Sequence, residues 1–143
     1  MQAKLIGIAA AAIISLAPSA ARAEEYILSA ELKGANEVPG PGDADGSGVA
    51  DLTLDSEKLR LCYTITVSNV ASPTMAHIHS GTAATAGDPV VTLDAPAKGS
   101  VKNCMDLTKS VADAIVANPA GHYINVHSEE FPAGAVRGQL VVE

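Results

Sequence analysis

Tryptophan is absent from this chain, phenylalanine occurs once and tyrosine three times. A core without large aromatic rings must be filled by Leu, Ile, Val and Ala. Basic residues are scarce as well. Nine Lys and Arg stand against sixteen Asp and Glu, for a net charge of −7. No basic patch with interleaved aromatics occurs, which argues against nucleic acid as a partner and against attachment to acidic lipid surfaces. There is no Gly-x-Ser-x-Gly elbow and no phosphate-binding loop. The longest apolar run, Leu5 to Leu16, is too short for a membrane span.

That run has another use. Lys4 supplies a short basic start, and Ala21-Arg22-Ala23 fits the small-x-small pattern of a cleavage site. Residues 1–23 are therefore expected to be a signal peptide, and the mature chain, 24–143, to be a single secreted or periplasmic domain. Loss of Lys4 and Arg22 takes its charge to near −9. Cysteine is almost missing too: Cys62 and Cys104 are the only two. In an oxidising compartment a lone pair forms a disulfide. It would close a loop of about 43 residues, worth on the order of 4 kcal/mol. The competing reading makes them metal thiolates, although their spacing matches no zinc motif.

What the chain does have is alternation. Tyr26, Leu28, Ala30 and Leu32 recur at every second position, as do Ala50, Leu52 and Leu54, and then Leu59, Leu61, Tyr63, Ile65 and Val67. Asp55 to Lys58 reads as the turn between the last two. Shorter strands are expected over Met75–His79, Val90–Leu93, Ser100–Met105, Gly121–Ser128 and Ala135–Val142. In the last, Val136, Leu140 and Val142 would share a face. One helix is expected, capped by Thr108, carrying Val111, Ala114 and Ile115, and stopped by Asn118-Pro119. Asp43-Ala44-Asp45-Gly46-Ser47-Gly48 invites a calcium reading. However, Leu54 would fall at the twelfth position, where an EF-hand needs a carboxylate, so a plain loop is expected. About eight short strands and one helix predict an all-β fold, an antiparallel sandwich or flattened barrel.

Four histidines occur in the chain, and three lie in two short stretches of these strands, Ala76–Ser80 and Tyr123–His127. With a rise of roughly 3.3 Å per residue, His77 and His79 share a face about 6.6 Å apart. Tyr123, Asn125 and His127 likewise share a face. With Ile78, Ile124 and Val126 turned to the core, all three histidines are expected on outward faces, where they can converge on one ion. Three imidazoles with an open fourth position suit copper or zinc. Water, Glu129, Glu130, Asp88 or Met75 would be the fourth ligand, and His122 points the wrong way. The plainer reading has the same histidines tying down the loop Gly81–Gly87 and the turn Phe131–Gly134. Arg137 has two readings beside the site, as an anion holder or as the ion-pair partner of Glu129, Glu130 or Glu37. Glu37 itself has no assigned partner.

Four motifs carry a resemblance. Gly34-Ala35-Asn36-Glu37-Val38-Pro39, Ala76-His77-Ile78-His79-Ser80-Gly81, Tyr123-Ile124-Asn125-Val126-His127-Ser128 and Phe131-Pro132-x-Gly134-x-x-Arg137-Gly138-Gln139-Leu140 occur in that order. Together they resemble the CHRD domain, the repeat of chordin that is also found in secreted bacterial proteins. The likeness runs from about Tyr26 to Val142. It departs at Pro39-Gly40-Pro41, where the family commonly has Pro-Pro after Glu-Val, and at His122, where it often has an aromatic. The resemblance implies a β-rich extracellular module and brings no settled reaction. A looser likeness, of geometry only, is to copper–zinc superoxide dismutase, with its His-x-His strand and late arginine. Here there is no bridging histidine and no second metal cluster. Three functions follow as expectations: a metal-binding module, an extracellular module that binds an unidentified protein, and a superoxide-handling metalloenzyme. The enzyme has the least support.

Overall fold

The computed structural model describes residues 24–143, so the expected signal peptide lies outside the described residues. Its fold is antiparallel β with one helix, as expected, and takes the barrel-like form. A single sheet curls into a half-barrel around a core of Leu, Ile, Val and Ala. The strands are β1 (Glu25–Lys33), β2 (Ser47–Asp55), β3 (Arg60–Ser68), β4 (Pro73–Ser80), β5 (Pro89–Leu93), β6 (Ser100–Asp106), β7 (His122–Ser128), β8 (Val136–Gln139) and β9 (Val141–Val142), with helix α1 (Lys109–Ala117) between β6 and β7. Their order across the sheet is β5-β4-β7-β8-β1-β2-β3-β6, and β9 also pairs with β1.

The alternating stretches become the long central strands. Leu28, Ala30 and Leu32 of β1, Ala50, Leu52 and Leu54 of β2, and Leu61, Tyr63, Ile65 and Val67 of β3 all point inward and are buried. The β2–β3 turn is held by Asp55, whose Oδ1 accepts the N–H groups of Glu57 (3.1 Å) and Lys58 (2.9 Å). Thr108 caps α1, its Oγ1 accepting from the Val111 N–H at 3.4 Å. Ile115 is buried and Val111 packs against the core as expected, but Ala112 rather than Ala114 completes the buried face.

The last strand differs more. It breaks at Leu140, whose N–H donates to the His122 carbonyl at 3.0 Å, and the chain then crosses to pair Val141 and Val142 with Ser29 and Leu28 of β1. Leu140 is buried as expected, but Val142 is exposed. A period-2 reading carries every second residue to one face only while the strand is unbroken.

Cys62 and Cys104 stand opposite each other on β3 and β6 and are joined, with Cα atoms 4.0 Å apart. The bridge ties edge strand β6 to the sheet across 42 residues of sequence. A Cys62→Ser/Cys104→Ser chain should lose about 4 kcal/mol of unfolding free energy, read from urea midpoints. A loss well under 1 kcal/mol would mean that the reduced chain is already constrained.

Candidate metal centre

Strand β4 lies between β5 and β7, and β7 between β4 and β8. Their shared register sets His79 opposite Tyr123 and Tyr123 opposite Gln139, while His77 faces Asn125 and Asn125 faces Arg137. Met75 is opposite His127. Ala76, Ile78, Ile124 and Val126 fill the core on the other side. The parity expected of the three histidines therefore holds, and one ring nitrogen from each of His77, His79 and His127 lies within 4.8 Å of the others. Among the described residues no carboxylate joins them, so Asp88, Glu129 and Glu130 are not part of this group.

The face is not an outward one, and that expectation is corrected. Every residue of β7 is buried, His127 included, and His77 and His79 are half-buried. Loop backbone covers what alternation would assign to water. The loop 81–87 is drawn down by His79, whose Nδ1 donates to the Gly87 carbonyl (2.8 Å), and by Tyr123, whose hydroxyl accepts the Gly87 N–H (3.1 Å). Gly87 runs so close to β4 that a Cβ there would sit 1.5 Å from the Ser80 carbonyl oxygen. His127 Nδ1 donates to Pro132 O at 3.0 Å and holds the turn after β7. The tethering role and the clustering thus belong to the same histidines.

These tethers fix chemistry. A carbonyl only accepts, so Nδ1 of His79 and of His127 carries the proton, and Nε2 of each is the lone-pair atom. His77 Nδ1 lies 3.1 Å from His127 Nε2 and donates to it. Nε2 of His79 is buried with no hydrogen-bond partner, an orphaned lone pair of the kind a cation satisfies. Burial holds all three imidazoles below their usual range. Neighbouring imidazoles push His77 and His127 the same way, and Arg137 does so for His79, against the opposing pull of the Gly87 and Pro132 carbonyls. They are neutral rings at neutral pH, with the His79 Nε2 lone pair free and that of His127 accepting from His77.

Arg137 is the largest fully buried side chain. The expected ion pair with Glu129, Glu130 or Glu37 does not form. Instead Nη2 donates to the carbonyls of Thr82 and Thr85 (2.9 Å for the latter), and the guanidinium lies 3.4 Å over the Tyr123 ring. The other neighbour of Tyr123 is His79, stacked at 4.8 Å between centroids. Gln139 secures the same loop through Gly81 O at 3.0 Å, a role its sequence position did not announce. Arg137, Gln139, Asn36 and Ala83 also line a cleft of about 350 Å³ that does not include the histidines.

Glu37 gains the partner it lacked. Asn125 Nδ2 donates to both its oxygens at 2.9 Å. Gly134, at φ +146°, leaves room for this pair, since a Cβ there would lie 2.4 Å from Glu37 Oε2. Burial pushes the Glu37 carboxyl up to about 7, against the opposing pull of Asn125 and Arg137. Because the folded pKa exceeds the unfolded one, its contribution to stability is complete below about 4.5 and is lost as pH rises through about 7. A Glu37→Gln chain keeps a carboxamide that can both accept and donate. It should be more stable than the native chain by about 2 kcal/mol at pH 8, with the gap closed near pH 4. Urea unfolding at the two pH values checks this, and a gap independent of pH would contradict it.

The sequence profile of the CHRD domain matches residues 28–140, nearly all of the described structure. The chain belongs to the CHRD domain family. No curated protein matches it. In this CHRD domain the four motifs that carried the resemblance come together in space. Glu37 of the first meets Asn125 of the third, the histidines of the second and third converge, and Arg137 of the fourth supports the loop that covers them. The family and the disulfide fit an extracellular protein.

Proposed function

We propose that this chain is an exported metal-binding module, with residues 1–23 as its secretion signal. His77, His79 and His127 would hold one copper or zinc ion. The observation that carries the reading is the orphaned Nε2 of His79, aligned with two further imidazole nitrogens within 4.8 Å. Two ring orientations are already set by carbonyls, an arrangement typical of metal-binding histidines. His77 becomes a ligand when its proton moves from Nδ1 to Nε2. The ion would supply Lewis acidity or a bound water at its fourth position. No acid, nucleophile or oxyanion donor stands in this group, so storage or delivery of the ion fits the residues better than turnover.

A superoxide-handling enzyme would need Arg137 free to meet an anion. Its Nη2 is engaged by loop carbonyls and its side chain is buried, and its partnerless Nη1 is the one observation in favour of that reading. Protein docking has one observation in its favour. Ile27, Val49 and Val141 are exposed on the outer side of neighbouring strands. The metal reading is tested by calorimetric titration of the purified protein with Cu(II) and Zn(II) at pH 7.5. One-to-one binding tighter than about 1 μM is expected, a free energy of about −8 kcal/mol. Absence of saturable binding would return the histidines to the tethering role alone.

A further inference from the structure

Among the described residues no further His, Cys, Asp or Glu joins the three-histidine group, and the register of the sheet says which other residues stand near it. On the site's face, His77 is flanked by Asn125 and Thr92, and His79 by Tyr123 and Pro89. His127 is flanked by Met75. The Tyr123 hydroxyl is taken up by Gly87, and Asn125 Nδ2 is held by Glu37, while Asn125 Oδ1, buried without a partner, is a neutral amide oxygen, a hard donor that suits magnesium or calcium better than copper or zinc. Pro89 has no side-chain donor, and a neutral Thr92 hydroxyl is a weak ligand. Met75 remains. It lies two residues before His77 on β4, so its side chain leaves the sheet on the same side as His77 and His79. Nothing in the core claims it, for it is 47% exposed.

We propose that Met75 completes the group with its thioether sulfur and makes the site one for copper(I). This rests on the three-histidine reading and narrows the ion. Thioethers are soft donors that favour copper(I), whereas zinc is satisfied by three imidazoles and water. Charge points the same way. The donor set is neutral throughout, no carboxylate joins it among the described residues, and the Arg137 guanidinium lies one aromatic ring away from His79. A monovalent ion meets half the repulsion from that cation that a divalent ion would.

The test is a Met75→Leu variant of the whole protein, a volume-conserving change at an exposed position that leaves the fold intact. Cu(I), kept reduced with ascorbate, is offered from its bicinchoninate complex, and Zn(II) is titrated separately. Expected is a fall in Cu(I) affinity of at least about tenfold in the variant, with Zn(II) affinity unchanged. Equal Cu(I) affinity in the two proteins would overturn the role of Met75 and leave the three-histidine site standing. An equal fall for both ions would make Met75 a packing residue and overturn the assignment to copper(I). Binding of neither ion by the native protein would overturn the site itself.

Discussion

Replacement of His77 and His79 together by alanine should lower transition-metal affinity on the order of a thousandfold, about 4 kcal/mol. Both residues come from one strand, and their rings are oriented differently. His79 is fixed through Gly87 with its Nε2 free, while His77 is held only by its bond to His127. The remaining His127 offers a single nitrogen, which cannot retain the ion against buffer. His122→Gln is the matching control. That residue is also buried, but its Nδ1 donates to Asn118 O and it stands outside the group of three. Its substitution should leave affinity within about twofold of native. Equal loss in both variants would mean that binding reports on folding and not on the ligands. The pH dependence follows from the same groups. Imidazoles held below their usual range keep their lone pairs as pH falls past 6.5, so affinity should persist through mildly acid conditions and drop only below the lowered values.

Arg137→Ala should cost about 3–5 kcal/mol of stability, the largest effect expected of any single substitution at the site. Two loop carbonyls lose a charged donor, Tyr123 loses the cation over its ring, and the buried stem leaves a void. Arg137→Met separates these contributions. It refills the volume without the charge, and should recover roughly half of the loss, since a buried charge carries its own desolvation cost. The loop 81–87 should be the first part to respond. Hydrogen exchange at the Gly87 amide, bound to the Tyr123 hydroxyl, should speed up in both variants before the core strands change. An Arg137→Ala chain within about 0.5 kcal/mol of native would show that the guanidinium is dispensable to the loop.

Much of this was legible from period-2 alternation. It located β1, β2 and β3, placed His77 with His79, and kept Ile78 and Val126 on the core side, because strand geometry leaves a residue only two faces. Thr108 announced the helix through a capping preference that is local in sequence. What alternation cannot say is whether a polar face meets water. Here Gly87, Pro132, Thr82 and Thr85 cover it with backbone carbonyls, which have no side-chain signature. For the same reason neither sequence reading of Arg137, anion holder or ion-pair partner, includes the loop carbonyls that it meets. The Glu37–Asn125 pair spans 88 residues, and the pairing of β8 with both β7 and β1 brings its two halves together. The break at Leu140 depends on a bond to His122 O that no local pattern encodes.

X-ray absorption at the metal edge, on protein loaded with one equivalent of Cu(I) and separately of Zn(II), tests the three-histidine site most directly. Both ions should show the multiple-scattering signature of three imidazoles. Retained metal surrounded by oxygen alone, or metal washed out on desalting, would contradict it.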